Sequence, residues 1–123
     1  MSTVNLDVLD AALAHIAAHP EQHDQRHWIV RGPDCGTAMC LAGVVAWQAG
    51  WAPEWSTGFS DNVNGNAWMD TADVTRDGKI RLVSSLAAEL LGIGWRDADR
   101  LFAPDNTLAD LRRIRDELAE RAL

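Results

Sequence analysis

Residues 35–49 constrain the fold more than any other segment, because they are apolar on every side. Their sequence, CGTAMCLAGVVAWQA, contains no charged residue, and a helix without a polar face has to be surrounded by other elements. Asp34 can cap such a helix at its start, and Gly50 can end it. The segment therefore predicts a central buried helix around which the rest of the chain packs.

Four more helices are predicted from hydrophobic residues at helical spacing. In the first, leucine and isoleucine repeat until Pro20 prevents continuation. The last begins with Asn106 or Thr107 as its cap, and Asp110 stands three residues after Thr107, as in a capping box. The predicted ranges are 5–19, 84–92, 96–102 and 106–123.

Two other segments predict non-helical structure. Asp77-Gly78 lies between short β-like runs, which is a strong signal of a two-residue hairpin turn. Residues 51–72 have no clean period and contain proline, glycine and asparagine, so they predict a long irregular loop. The expected fold class is mainly α (α+β), a single domain of residues 1–123 with about five helices, a small β-hairpin and this loop.

The negative net charge of the chain limits the kinds of molecule that it is expected to bind. The 123-residue chain has a formal net charge of −7, and all of the excess lies in residues 1–75, which hold nine acidic residues and two arginines. Such a chain repels phosphates, so direct nucleic-acid binding is not expected, whereas a basic protein surface is a suitable partner. No apolar run is long enough to span a bilayer, and no signal-peptide pattern opens the sequence. We therefore expect no membrane contact and a cytoplasmic location.

A cluster of histidines and cysteines raises the hypothesis of a metal site. Its members are His15, His19, His23, His27, Cys35 and Cys40. Zinc needs ligands that converge tetrahedrally, but Pro20 separates the first two histidines from the last two, and the spacing matches no zinc module. No cofactor is therefore expected, and the alternative left open is a zinc site formed by His23, His27 and Cys35.

The predicted start of the central helix also permits a nucleophile. A helix N-terminus lowers the pKa of a cysteine thiol and favours the reactive thiolate. Asp34-Cys35 resembles the nucleophile segment of the NlpC/P60 branch of papain-like cysteine peptidases, in which Asp-Cys-Ser-Gly opens a helix. Here Gly36-Thr37 replaces Ser-Gly, and no histidine follows Cys35, so His27 would have to act as the general base.

Tryptophan content points to binding surfaces. The chain has six tryptophans and no tyrosine, and tryptophan is favoured at interfaces because it supplies a large rigid contact area. Trp28 and Trp47 are expected in the core. The expected partner-binding residues, around the predicted loop, are Trp51, Glu54, Trp55, Asp61 and Trp68.

Four segments in this order, HPEQHDQRHW, CGTAMCLAG, ELLGI and LFAPDNTLADLRRI, resemble a family of small uncharacterised proteins encoded by actinobacteria and their phages. Its most specific element is the motif CGTxxCxAG. The resemblance implies a phage or phage-derived cytoplasmic protein, and it brings no established activity. It also implies a structural signature around the start of the central helix, formed by Asp34, Cys35, Gly36, Thr37, Cys40 and Gly43.

These observations favour a non-enzymatic accessory protein, phage-encoded, that binds a host protein through its acidic, tryptophan-bearing part. This hypothesis depends on analogy with other small phage proteins rather than on a chemical site. The first alternative is a cysteine-dependent hydrolase that uses Cys35. Weaker alternatives are zinc binding and mimicry of nucleic acid by the acidic part.

Overall fold

The structure is a computed structural model that describes residues 4–31, 37–63 and 66–121, except for the side chains of residues 59–63 and 66–68. The described residues form an α+β fold, as the sequence predicts. Its helices are α1 (Leu6–Ala18), α2 (Leu41–Gln48), α3 (Val83–Leu91), α4 (Trp95–Leu101) and α5 (Leu108–Arg121). Its strands are β1 (Ile29–Arg31), β2 (Thr37–Met39), β3 (Ala52–Pro53), β4 (Phe59–Val63), β5 (Asn66–Thr71), β6 (Asp73–Arg76) and β7 (Lys79–Leu82).

The strands form two antiparallel sheets. The first has the order β2-β1-β5-β4, and the second has the order β3-β6-β7. In the first sheet Ile29 lies opposite Met39 on one side and opposite Thr71 on the other. All three residues are buried. This register therefore places one end of the sheet against the hydrophobic core.

The core is built around α2. Every residue at positions 41–46 is buried, which confirms that this segment lies at the centre of the fold. Side chains of all five helices join one hydrophobic cluster with it. Within the described residues, no helix combines the length and apolarity needed to cross a bilayer.

The prediction that the central helix begins at residue 35 is wrong for positions 37–40. Thr37–Met39 pair with β1 as strand β2, and Cys40 is the N-cap of α2. The amide of Cys40 donates to the carbonyl oxygens of His27 (3.1 Å) and Trp28 (3.2 Å). Backbone hydrogen bonds to a distant segment therefore override the helical pattern of the sequence here. Residues 32–36 lie outside the described residues.

The prediction of an irregular loop over residues 51–72 is also wrong. This segment contains β3, a 3-10 turn (Trp55–Thr57), and the β4–β5 hairpin, in which Val63 pairs with Asn66. The two residues between that last pair are Asn64-Gly65. Asn-Gly is as strong a hairpin signal as Asp-Gly, so the sequence contains a local signal for this hairpin.

The hairpin at Asp77-Gly78 is confirmed. It joins β6 to β7, and Arg76 pairs with Lys79 across the turn. Asp77 has φ 52° and Gly78 has φ 79°. Positive φ at both central residues is the requirement of a type I′ turn, which aspartate tolerates and glycine adopts without strain.

The predicted helices of the C-terminal half are confirmed with small shifts in their bounds. Helix α3 is followed by the cap residue Gly92, whose φ of 70° lies in the left-handed region typical of a helix end. Helix α5 has the predicted capping box. The amide of Asp110 donates to Thr107 Oγ1 (3.2 Å), and the amide of Thr107 donates to Asp110 Oδ2 (3.0 Å).

The buried side chain of Gln25 joins helices α2 and α4. Its side chain is only 8% exposed. Its Nε2 donates to the carbonyl oxygens of Leu101 (2.9 Å) and Ala103 (3.1 Å), at the end of α4. Its Oε1 accepts from the amide of Leu41 (3.2 Å), the first residue of α2, and lies 2.8 Å from His23 Nε2. One amide group therefore bonds the start of α2 and the end of α4.

We expect Gln25→Ala to lower the free energy of unfolding by about 3 kcal/mol, because the buried Leu41 amide loses its acceptor and the carbonyl groups of Leu101 and Ala103 each lose one of two donors. Gln22→Ala is the matched control, since the side chain of Gln22 bonds, among the described residues, only the ring of His15 (2.9 Å). Its effect should stay below about 1 kcal/mol. Urea unfolding followed by far-UV circular dichroism measures both. Equal losses in the two variants would contradict a special role of Gln25.

Candidate functional site

The residues expected to bind a partner do not form a free aromatic patch among the described side chains. Trp51 and Trp55 are half-buried and pack against the hydrophobic core. Glu54 accepts hydrogen bonds from Ser56 Oγ (2.6 Å) and from the Ser56 amide (3.1 Å). These two bonds lower the pKa of Glu54. The acidic side chain therefore stabilises the adjacent 3-10 turn.

Two further residues of that expected surface lie in the β4–β5 hairpin. Asp61 and Trp68 are directly opposite each other in its register. Their side chains are outside the described part of the structure. The binding role of this surface stays a prediction.

The histidines are paired with separate partners. Besides the His15–Gln22 and His23–Gln25 contacts, His27 Nδ1 lies 3.0 Å from Asp24 Oδ2, and His19 Nδ1 lies 3.5 Å from Glu21 Oε1. Within residues 4–31, 37–63 and 66–121, no group of three histidine, cysteine, aspartate or glutamate side chains is placed to hold a metal ion. Cys35 lies outside those ranges, so the zinc set His23, His27 and Cys35 stays a prediction.

The contact between His27 and Asp24 has the geometry of a base and its orienting carboxylate. Partial burial raises the pKa of Asp24, but hydrogen bonds from the His27 ring and the Arg26 amide outweigh it, and the net shift is downward. The carboxylate is therefore held ionised beside the imidazole. The predicted nucleophile, Cys35, lies outside the described residues, so its pairing with His27 stays a prediction.

The described members of the structural signature are packed tightly. Cys40 is 1% exposed, and burial raises the pKa of its thiol to about 11. At Gly43, a Cβ atom would lie 2.7 Å from Met39 Cβ and 2.7 Å from the carbonyl oxygen of Trp28. Helix α2 can therefore approach β1 and β2 only because position 43 has no side chain. Thr37 is half-buried at the start of β2.

A large concavity lies between α3 and α4. This α3–α4 groove has a volume of about 590 Å³, and its lining is mainly apolar. A cleft beside α1 and α2 reaches only about 260 Å³. The groove is lined by Trp28, Ser84, Ser85, Ala88, Trp95, Ala98, Asp99, Phe102, Ala103 and Pro104. A volume of this size suits a few large side chains of a bound molecule.

Three of the ten residues that line the groove are aromatic. Trp28 and Phe102 meet edge to face, with ring centroids 6.1 Å apart and an interplanar angle of 80°. Trp95 opens helix α4 and is 70% exposed, the highest value among the large apolar residues of the described chain. Asp99 is one turn further along α4 and is also exposed. The groove therefore has an aromatic lining, an exposed tryptophan and one carboxylate.

Sequence reasoning missed Trp95 because the predicted helix began one residue after it. The helical spacing of the residues around Trp95 does indicate that its side chain is exposed. Ala98, Leu101 and Phe102 are buried, whereas Trp95 and Asp99 are exposed. A tryptophan that follows the cap residue Gly94 and shares a face with an aspartate four residues later is not a core position.

Comparison of the chain with protein-family models, curated proteins and solved structures gives no match in any of the three. The choice among functions therefore depends on the chemistry of the described residues.

We expect the Cys40 thiol to be inert in the folded protein. At pH 8, raising the pKa of a thiol from its ordinary value of 9.0 to about 11 leaves about a hundredfold less thiolate, and only the thiolate reacts with iodoacetamide. In a Cys35→Ser variant, mass spectrometry should detect modification of Cys40 only after denaturation. Rapid modification of the folded variant would show that the thiol is accessible, against the buried position.

Proposed function

We propose that this chain is a non-enzymatic accessory protein that acts by binding a segment of another protein in the α3–α4 groove. The observation that carries the proposal is the exposure of Trp95, 70%, at a mainly apolar groove of about 590 Å³. Covering a tryptophan and its apolar surroundings contributes favourable free energy on binding. Exposed aromatic residues next to such pockets are typical anchors of interfaces.

A single carboxylate supports a basic partner at the groove. The acidic excess of the chain lies in residues 1–75, outside α3 and α4, but Asp99 on the groove wall forms no ion pair with any described residue. The resemblance of the sequence to phage proteins supports a host protein as the partner and the host cytoplasm as the location. Electrostatic attraction would then speed the encounter more than it would strengthen the complex.

We expect Trp95→Ala to weaken capture of the partner more than tenfold, because a central tryptophan commonly contributes about 2 kcal/mol or more, roughly thirtyfold in affinity. The control is Trp47→Ala. The expectation that Trp47 lies in the core is wrong, since this residue is 47% exposed, and it lies outside the groove. Proteins retained by immobilised wild type and by each variant are quantified by mass spectrometry from lysate of an actinobacterial host. Affinity of the leading partner is then measured by calorimetry.

Retention alone does not support the proposal; the difference between the two variants does. Circular dichroism must show that both variants are folded. A partner that binds wild type, Trp47→Ala and Trp95→Ala with equal affinity would exclude the groove as its site.

A second candidate, a cysteine-dependent hydrolase, is favoured by one observation: His27 Nδ1 lies 3.0 Å from Asp24 Oδ2. In this orientation Nε2 is left for a nucleophile, which is the arrangement of a base held by a carboxylate.

For this candidate we expect Cys35 to react with iodoacetamide at pH 7 in the folded chain much faster than a free cysteine. Asp24→Asn should slow the reaction, because the carboxylate no longer stabilises the imidazolium. A Cys40→Ala variant, which keeps Cys35 as its single thiol, isolates the signal in mass spectrometry. Modification of Cys35 at the ordinary rate, unchanged by Asp24→Asn, would remove this candidate.

A further inference from the structure

Two histidine rings lie together at the C-terminal end of α1. The centroids of the His15 and His19 rings are 4.9 Å apart. Helix α1 ends at Ala18, but the amide of His19 still donates to the carbonyl oxygen of His15 (2.9 Å). This bond of helical type keeps His19 one turn beyond His15 on the same face of the helix. The end of α1 therefore presents two imidazoles on one surface.

The turn that follows α1 brings two more polar side chains to these rings. Pro20 opens a 3-10 turn (Pro20–Gln22), in which the amide of Gln22 donates to the carbonyl oxygen of His19 (2.9 Å). The side chain of Gln22 returns to the first ring, and its Oε1 lies 2.9 Å from His15 Nε2. Glu21 lies beside the second ring, with Oε1 3.5 Å from His19 Nδ1. Two imidazoles, an amide oxygen and a carboxylate are thus gathered within residues 15–22.

The separations in this cluster are those of ligands around one transition-metal ion. With metal–ligand bonds of about 2.1 Å, two ligand atoms at a right angle are about 3 Å apart, close to the 2.9 Å between His15 Nε2 and Gln22 Oε1. The centres of two imidazole rings that share an ion are then about 4.5–5.2 Å apart. The rings of His15 and His19 have this separation.

The neighbours of each ring leave one nitrogen for an ion. With its proton on Nδ1, facing Glu21, His19 keeps Nε2 for the metal. A carboxylate beside the other ring nitrogen is the usual device that orients a metal-binding histidine. In His15, Nε2 donates to Gln22 Oε1, and an ion takes the place of that hydrogen when the proton moves to Nδ1, the other neutral tautomer.

Trp47 of α2 restricts the first of these rings. Its ring centroid lies 5.0 Å from that of His15, so the imidazole is packed between Trp47 and His19. A side chain that is already held loses less conformational entropy when a ligand fixes it. The side chains of His19 and Glu21 are 49% and 66% exposed, and an ion can reach the rings from solvent.

This cluster differs from the zinc set of His23, His27 and Cys35 in its kind of ligands. Two histidines and a glutamine are not a group of three histidine, cysteine, aspartate or glutamate side chains, and the described part of the chain places no such group for a metal. The amide oxygen of Gln22 supplies the third ligand instead. Water molecules would complete the coordination, as they do in open metal sites.

We propose that His15, His19 and Gln22 bind a divalent transition-metal ion. Glu21 orients His19 and does not bind the ion itself. Imidazole nitrogen suits Zn²⁺, Ni²⁺ and Cu²⁺, whereas Mg²⁺ and Ca²⁺ take oxygen ligands. The ion would join the end of α1 to the turn beyond Pro20. None of these residues lines the α3–α4 groove, so this inference does not depend on the proposed function.

The first measurement is calorimetric titration of Zn²⁺ into the reduced chain, expressed without a histidine tag because such a tag would itself bind the ion. We expect one Zn²⁺ per chain and no binding of Mg²⁺. His15→Gln and His19→Gln should each lower the affinity for Zn²⁺ about a hundredfold, since a ligand is lost. The controls His27→Gln and Cys35→Ser should keep the wild-type affinity.

Loss of binding in His27→Gln and Cys35→Ser but not in His15→Gln would overturn this site and place the ion at the other predicted set. Absence of any bound Zn²⁺ would also overturn the inference, and it would leave the groove proposal unaffected. Circular dichroism must show that every variant is folded.

Variants of Gln22 separate a three-ligand site from two adjacent histidines. A carboxylate oxygen binds Zn²⁺ more strongly than an amide oxygen, so Gln22→Glu should tighten binding about tenfold, and Gln22→Ala should weaken it. Glu21→Gln should weaken binding about tenfold, because His19 loses the group that orients it. Asp77→Asn, which removes one charge at the β6–β7 turn, should have no such effect. Equal affinity of wild type and both Gln22 variants would overturn the proposed ligand set.

Paramagnetic Ni²⁺ locates the ion. Its broadening of NMR signals falls steeply with distance, so the indole N–H signal of Trp47 should broaden most among the six tryptophans of the ¹⁵N-labelled chain. Single Trp→Phe variants assign these signals. The broadening at Trp47 should disappear in His15→Gln at the same Ni²⁺ concentration. Stronger broadening at Trp28, the neighbour of His27, would contradict the site at the end of α1.

Discussion

The buried amide of Gln25 is the interaction on which the arrangement of the helices depends. A glutamine side chain has two donor hydrogens and an oxygen with two acceptor sites, and here each has a partner. Those partners include the start of α2, where the buried Leu41 amide has Gln25 as its acceptor, and the end of α4, where Gln25 shares the carbonyl groups of Leu101 and Ala103 with Asn106. Because a partly satisfied buried network is costly, this contact specifies one position of α4 relative to α2. The groove wall that carries Trp95 is therefore positioned by a residue that does not line the groove.

Close packing around α2 adds a second constraint. The absence of a side chain at Gly43 brings the helix against Met39 and the carbonyl of Trp28, and Trp28 in turn packs edge to face on Phe102. The segment that leads into β1 is thus held between the central helix and α4. This segment contains Trp28, which lines the groove, and also the His27–Asp24 pair. The binding proposal and the hydrolase candidate therefore depend on the same local packing, although they use different side chains.

Local signals in the sequence predicted the elements whose cause is local. The capping box at Thr107 and the turn at Asp77-Gly78 involve neighbouring residues, and both are present in the structure. The helix predicted over positions 37–40 is absent because their conformation is determined by contacts with the segment around β1. The periodicity of a sequence does not indicate such contacts. The Asn64-Gly65 signal was present and was outweighed by the irregular composition around it. Of the groove, only the helices that form it could be predicted. Trp95 and Gln25 acquire their roles from residues far away in the chain, so no short pattern identifies them.

The bond between Gln25 Oε1 and the Leu41 amide also couples the opening of α4 to hydrogen exchange in the core. Helix α4 has seven residues, too few to persist alone in water, so it stays helical only while it is docked. Undocking of its end would release Gln25 and, with it, the acceptor of the Leu41 amide. An amide exchanges its hydrogen with solvent when its hydrogen bond opens. The exchange rate at Leu41, in the middle of the core, therefore records how often the distant groove wall comes loose.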